Sequence, residues 1–325
     1  MESKNNVWQA PNEAIIPDFI ICGAMKSGTT TLHAILNSHP DIFIPDNEVH
    51  FFDMDNIIEH SDFNSYIDEK WLTNSVEKDP KRYWQWYSSN FSNATSKQVL
   101  GEDSTTYLAS PLAFKRISIQ KKPIKLLIML RNPTARAYSQ YWHMLRSGRA
   151  IHSFEKTLQY NPASVLNRSL YYTQILSLLR AIPKAQVKFI IFEEFLQNKN
   201  KCLKDVCDFL GVNSSKITKE AVNFHENSGL YPKYLNLQLV KNKFLPMGGY
   251  NSYQNHFSLE KRNVFLEKIA LAKVINKGHR LMNPLINRKP PKMKFETKIL
   301  LDTYFIKELE GLNDVLARDV LSIWF

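Results

Sequence analysis

Residues 17–31, PDFIICGAMKSGTTT, decide the fold. Phe19 to Cys22 is a short apolar run that reads as a buried strand, and Gly23 to Gly28 reads as a loop. Thr29, Thr30 and Thr31 open a helix expected over 27–38, with Leu32, Ile35 and Leu36 on its apolar side and His39-Pro40 ending it. Backbone N–H groups at a helix N-terminus, a lysine in the loop and a run of hydroxyls make a cradle for a phosphate-like anion. In a nucleotide-triphosphatase loop, GxxxxGK[ST], the lysine follows the second glycine. Here Lys26 comes before Gly28, inside the loop. The bland alternative is a strand–glycine–helix turn with a solvated lysine.

Outward from that stretch the chain keeps α/β grammar: strands expected at 41–44, 99–101, 125–130 and 187–192 alternate with helices at 133–147, 169–181 and 199–210. The run at 125–130 is apolar throughout, as in a strand buried on both faces of a parallel sheet. The fold class predicted is α/β, a single domain with a central parallel sheet flanked by helices. Residues 1–16 read as a flexible tail and 17–325 as the domain. Within it, 55–97 is polar and aromatic, with Trp71, Tyr83, Trp84, Trp86 and Tyr87. It reads as a cover over the site or as a satellite aromatic core. Segment 224–257 reads as irregular, with Pro232, Pro246, Gly248 and Gly249, and helices are expected at 258–275 and 296–310.

In an open parallel sheet, ligands bind beyond the carboxyl ends of the strands. Those ends carry Gly23 to Thr31, then Asp46, Asn47, Glu48 and His50, then Glu102 to Thr106, then Arg131, then Glu193 and Glu194. A right-handed crossover makes the first two strands parallel and neighbouring, which brings Lys26 and Glu48 to one edge. A carboxylate can take a proton from an attacking hydroxyl or amine, and a lysine can neutralise charge growing on a leaving oxygen. His50 is a helper or a substrate ligand, or a structural histidine. Phe51 and Phe52 read as packing residues.

The formal net charge of +11 points to an anionic partner, either a nucleotide with several phosphates or an acidic polymer. No block of five or six consecutive basic residues and no nucleic-acid motif is present, so nucleic acid is set aside. The three cysteines, Cys22, Cys202 and Cys207, have no framework spacing, which suits a reducing compartment. No apolar stretch is long enough to span a bilayer, and MESKNNVWQAPNE lacks a signal-peptide core. The expectation is a cytoplasmic, bacterial protein with no membrane span.

The motifs KSGTT, NEVHFFD (47–53), GEDSTTYL (101–108), LRNPTARAYSQYWH (130–143) and FEEFLQN (192–198) occur in this order. Together with the ending RKPPKMKFETKILLDTYFIKELEGLNDVLARDVLSIW, they resemble the sulfotransferases that use 3′-phosphoadenosine 5′-phosphosulfate, in the heparan-sulfate sulfotransferase-like branch. The resemblance implies a P-loop-like sulfotransferase fold. It assigns Lys26, Ser27, Gly28, Thr29 and Thr30, with the adjoining Thr31, to the 5′-phosphosulfate loop. Arg131 and Ser139 match the pair for the 3′-phosphate, and Glu48 matches the general base. His50 and Asp53 match residues lining the acceptor cleft. Phe52, Ser104, Thr105 and Tyr107, at the same strand ends, complete the expected acceptor-binding set. Catalysis is expected from Glu48, Lys26 and His50, with adenosine 3′,5′-bisphosphate as product and no metal.

The function so predicted is sulfuryl transfer to a hydroxyl, less readily an amine, of a small metabolite or carbohydrate, with residues 71–91 closing an apolar, aromatic pocket beside Glu48 and His50. Two alternatives stand beside it. A P-loop small-molecule kinase would want GK[ST] and a Mg²⁺-binding Asp after an apolar strand. A nucleotide-binding module without catalysis would keep the loop alone.

Overall fold

Apolar residues that alternate between two faces build the centre of the molecule. In the computed structural model, which describes residues 6–60, 63–67, 69–223, 230–244, 266–287 and 290–325, the strands are β1 (Phe19–Gly23), β2 (Ile42–Phe43), the hairpin β3 (Ser65–Ile67) and β4 (Lys70–Leu72), β5 (Val99–Asp103), β6 (Lys125–Leu130), β7 (Val187–Ile191), and β8 (Leu230–Pro232) paired antiparallel with β9 (Leu285–Asn287). β1, β2, β5, β6 and β7 form one parallel sheet in the order β2-β5-β1-β6-β7. Ile20, Cys22, Leu126, Ile128 and Leu130 face one apolar cluster, and Phe19, Ile21, Leu127 and Met129 face the other. That period of two is the pleat of a strand covered on both sides.

Helix α1 (Thr29–Asn37) packs Leu32, Ile35 and Leu36 on the second face, beside the helix Lys199–Leu210 with Leu203, Val206 and Leu210. The first face carries α2 (Pro80–Ser89), α3 (Pro111–Ser118), α4 (Pro133–Arg146) and the helix Tyr171–Ala181. Asn132 caps α4 by accepting from Ala135 N at 2.8 Å, with Pro133 at the first helical position. Gly211, at φ 85°, closes the helix Lys199–Leu210. The central parallel sheet and its flanking helices are those the sequence predicts.

Four expectations are corrected. β1 and β2 are not neighbours, because β5 lies between them. β2 has only two residues, and the longer β5 and β6 take both edges of β1. Glu48 still reaches the carboxyl edge, because its loop is tied to the end of β5: Val49 N donates to Asp103 O at 3.1 Å and His50 N to Ser104 Oγ at 2.8 Å.

The second correction concerns the tail. From Asn6 onward it is docked, with Trp8 and Ala10 buried. The Arg116 guanidinium lies 3.3 Å above the Trp8 ring, and Gln120 Nε2 donates to Trp8 O at 2.7 Å. Third, α2 is no cover: Trp84 and Tyr87 turn into the core, their rings 4.7 and 4.4 Å from Phe51, while Trp71 is exposed. The part of 55–97 near the site is Ile58 to Phe63, among whose described residues Ile58, Glu59, His60 and Phe63 line a cavity. Fourth, 224–257 holds β8 and the helix Leu235–Phe244, and the next helix runs Leu266–Met282. The remainder of that segment, and the expected helical start at 258–265, lie outside the described residues.

Candidate active site

The loop after β1 is shaped by its backbone. Lys26 and Gly28 have φ of 68° and 94°, the left-handed region. Glycine is required at 28 on a second count, since a Cβ there would stand 2.6 Å from the Phe192 ring. Gly28 is the N-cap of α1 and makes no side-chain capping bond. The first-turn N–H groups of a helix lack intrahelical acceptors, and the helix dipole adds positive potential there.

A cavity of about 480 Å³ lies against this loop. Of the predicted donor residues it is lined by Lys26, Gly28, Thr29, Thr30, Thr31, Arg131 and Ser139, and Glu48 and Thr105 reach it as well. Ser27 is the exception, fully buried and outside the lining. Arg131 Nη1 donates to Lys26 O at 3.1 Å, and its guanidinium lies 4.9 Å from the centre of the Phe192 ring. A hydrogen-bonded ring fixes the turn behind it. Asn132 N donates to Glu193 Oε1 (3.0 Å), Trp324 Nε1 to Glu193 Oε2 (2.9 Å), and Asn132 Nδ2 to Trp324 O (2.7 Å).

Arg146 and Lys199 also line the cavity, so four cations face one carboxylate, Glu48. Sequence reading missed Trp142, His143 and Arg146. They stand three, four and seven residues after Ser139 on α4, the spacing that places side chains on one helix face. His143 matters most. Its Nδ1 lies 3.0 Å from Lys26 Nζ, and burial, then Lys26 and Arg149, push its pKa down to about 2. Its Nε2 lies 3.0 Å from Arg149 Nη2, so the neutral ring offers its single acceptor nitrogen between two cations. Burial and then Arg146 lower Lys26 itself to about 8, with Glu48 opposing.

Glu48 is held by others. Thr105 Oγ1 donates to it at 3.0 and 3.1 Å, and His50 Nε2 lies 2.9 Å from Oε2. Its side chain is 35% exposed, within the cleft. Burial works to raise its pKa, but His50, Thr105 and Lys26 outweigh it and hold it below the usual carboxylate value. His50 is buried, and despite that burial the charges of Glu48, Asp53 and Asp103 raise its pKa. Its Nδ1 lies 3.0 Å from Thr106 Oγ1.

The other expected acceptor residues do not line the cleft. Phe52 is fully buried among Phe51, Trp84 and Tyr87. Ser104 and Tyr107 are buried donors to Glu102 Oε1 at 2.8 and 2.6 Å, and Tyr107 Oη also accepts from Phe52 N. Asp53 is buried and accepts from His60 at 2.7 Å. These residues support Glu48 and His50 from behind. His50, Asp53 and His60 place ligand-type atoms within 4.8 Å of one another, a spacing the sequence did not reveal. In this structure those atoms bond one another, Glu48 and Thr106.

The predicted apolar pocket beside His50 is also corrected. The cavity there, about 230 Å³, is mixed, with Gln140, Arg149 and Arg168 among its walls beside Met25, Phe63 and Met144.

The model of the sulfotransferase domain family matches residues 16–277. Heparan sulfate glucosamine 3-O-sulfotransferase 3B1 of Mus musculus is 29% identical over 222 residues, 66% of this chain and 50% of that protein. Heparan sulfate glucosamine 3-O-sulfotransferase 5 of Homo sapiens is 27% identical over 241 residues, 71% of this chain and 62% of that protein. The chain thus spans about half to three-fifths of the length of these relatives. The crystal structure of a sulfotransferase from Alicyclobacillus acidocaldarius superposes with a TM-score of 0.59 at 25% identity, over 95% of this chain and 99% of that one. The loop, the sheet that carries it and these likenesses agree, and the chain belongs to the sulfotransferase domain family.

Proposed function

We propose that this chain moves a sulfuryl group from 3′-phosphoadenosine 5′-phosphosulfate to a hydroxyl of a small molecule or carbohydrate. The observation that carries the reading is one cavity lined by Lys26, Arg131, Ser139 and Glu48. A polyanionic nucleotide fits four cations, a capless helix N-terminus and a volume of about 480 Å³. The donor, when bound, supplies a sulfuryl group on a phosphate leaving group.

Glu48, ionised, accepts the proton of the acceptor hydroxyl as that oxygen bonds to sulfur. The electron pair of the breaking S–O bond goes to the phosphate oxygen, where Lys26 stabilises the growing charge. Lys26 is fit for this because the histidine beside it is neutral, and the one carboxylate that favours its charge across the cavity is Glu48. Arg131 and Ser139 hold the 3′-phosphate. Thr105 and His50 keep the Glu48 carboxylate in place and ionised. The kinase alternative has less support, since Lys26 precedes Gly28 in the loop and Arg131, not an Asp, follows β6.

Calorimetry with adenosine 3′,5′-bisphosphate in the presence of a chelator tests the donor half. Binding tighter than that of ATP with Mg²⁺ is expected, and the reverse order would replace sulfuryl transfer with phosphoryl transfer. Mass spectrometry of an alcohol library after incubation with the donor, searching for the added mass of SO₃, tests the transfer.

A further inference from the structure

The basic charge of the chain is not spread evenly along it. Residues 230–300 carry 14 Lys and Arg against three Asp and Glu, a net of +11, which is the formal net charge of the whole chain. The same part of the molecule is apolar at its surface. Among the described residues, more than half of the exposed large apolar side chains lie between Leu230 and Ile306.

Two helices in this stretch are built inside out. The helix Leu235–Phe244 buries Gln238 and Asn242 and exposes Val240 and Phe244 on the opposite side, with Phe244 76% exposed. The helix Leu266–Met282, with the residue that follows it, buries His279 and Asn283. It exposes Val274, Leu281 and Met282, a stripe at the i, i+7, i+8 spacing of one helix face, with Leu281 79% exposed. The buried amides are anchors. Asn242 Nδ2 donates to Leu145 O and Ala150 O, both at 2.8 Å, and Gln238 Nε2 donates to Asn242 Oδ1 at 2.8 Å. Asn283 Oδ1 accepts from Tyr234 N at 2.7 Å and its Nδ2 donates to Tyr234 O at 3.0 Å, which ties the second helix to the start of the first. The polar faces thus hold the pair to the body, and the aliphatic faces look outward. Lys243, Lys277 and Arg280 are exposed beside them, and burial, then the charge of Arg280, lowers the pKa of Lys241.

Clustered cations and outward apolar stripes are each unfavourable in water, and each calls for a different partner. An acidic polymer would answer the charge and leave the apolar stripes wet. A second copy would cover the stripes and set one basic surface against another. An anionic bilayer answers both, with phosphates for the cations and an acyl boundary for the stripes. We propose that this helix pair is a docking surface for an anionic membrane, on which the protein lies peripherally. Phe244, Leu281 and Met282 enter the interface, and Lys243, Lys277 and Arg280 meet the lipid phosphates. The inference stands apart from the sulfuryl-transfer reading, and its test uses no nucleotide.

Flotation of the full chain with two kinds of vesicle tests it: phosphatidylcholine alone, and an equal mixture of phosphatidylcholine and phosphatidylglycerol. Partition into the mixed vesicles should be about ten-fold or more stronger, and should weaken as salt is raised. Phe244→Ser together with Leu281→Ser should lower it about ten-fold or more. Lys277→Glu together with Arg280→Glu should remove the preference for the anionic vesicles. All four positions are exposed, and an unchanged denaturant midpoint reports that the variants are folded. Equal partition into both vesicles, partition into neither, or anionic binding that neither double variant weakens would overturn the proposal. Binding to dextran sulfate without vesicle binding would give the face to an acidic polymer instead. A dimer in sedimentation that Phe244→Ser with Leu281→Ser breaks, again without vesicle binding, would give it to a second copy.

Discussion

On the donor side of the cleft, Lys26 meets a neutral histidine and Arg131 a backbone carbonyl, and neither is in a direct ion pair among the described residues. On the base side, Glu48 is paired with His50 and Thr105, Asp53 with His60, and Glu102 accepts from Tyr87, Tyr107 and Ser104. The first side is shaped by main chain and awaits an anion. The second is a side-chain network in which most groups already have partners, with Asp53 Oδ2 and Asp103 Oδ1 the exceptions among them. Substitutions should therefore show as lost nucleotide affinity on one side, and as lost turnover or stability on the other.

The sharpest way to break that contrast is Glu48→Gln. Turnover should fall about 10²–10⁴-fold, the range of general-base effects, with bisphosphate affinity nearly unchanged. Steady-state rates and calorimetry together check this, and near-normal turnover would move the base to His50.

Arg131→Ala comes next. It should weaken adenosine 3′,5′-bisphosphate by about 1.5–3 kcal/mol, the usual worth of a charged hydrogen bond, and 5′-AMP much less. Equal losses for both nucleotides would take Arg131 away from the 3′-phosphate.

Tyr107→Phe probes the network alone. It removes a donor from buried Glu102 and an acceptor from Phe52 N. A stability loss of about 1–3 kcal/mol by denaturant unfolding is expected, with donor affinity unchanged.

The smallest effect is a shift along the pH axis. Lys26 is held down at about 8, so kcat/KM should decline as pH rises through that value and the ammonium is lost. A bound anion favours the charged lysine, so the matching limb in kcat should lie at higher pH. Coincident limbs would separate Lys26 from the donor.

Legibility from sequence follows the same division. The donor loop, β6 and the Arg131 turn are contiguous motifs whose glycine, proline and apolar periods speak locally, and β6 and the helix Lys199–Leu210 have the predicted ends. Glu48 was placed at the right edge through an adjacency that β5 interrupts. His143, His60 and the Asp103–His33 pair were not legible, since each gains its meaning from a partner far along the chain or across a loop: Lys26 and His143 are 117 residues apart. The docked tail was hidden for a different reason. Trp8 and Ala10 are isolated apolar positions without a period, and Gln120, Arg116 and Phe51, all distant in sequence, give them a place.

The ring of Asn132, Glu193 and Trp324 also sets an order of events in the life of the chain. Its members are spread over nearly two hundred positions, with Asn132 and Trp324 192 apart. During vectorial synthesis, which lets N-terminal structure form first, the sheet through β7 can assemble while the Arg131 turn still lacks its last brace. A nascent chain that has not yet exposed residue 324 is therefore expected to hold adenosine 3′,5′-bisphosphate more weakly than one that has.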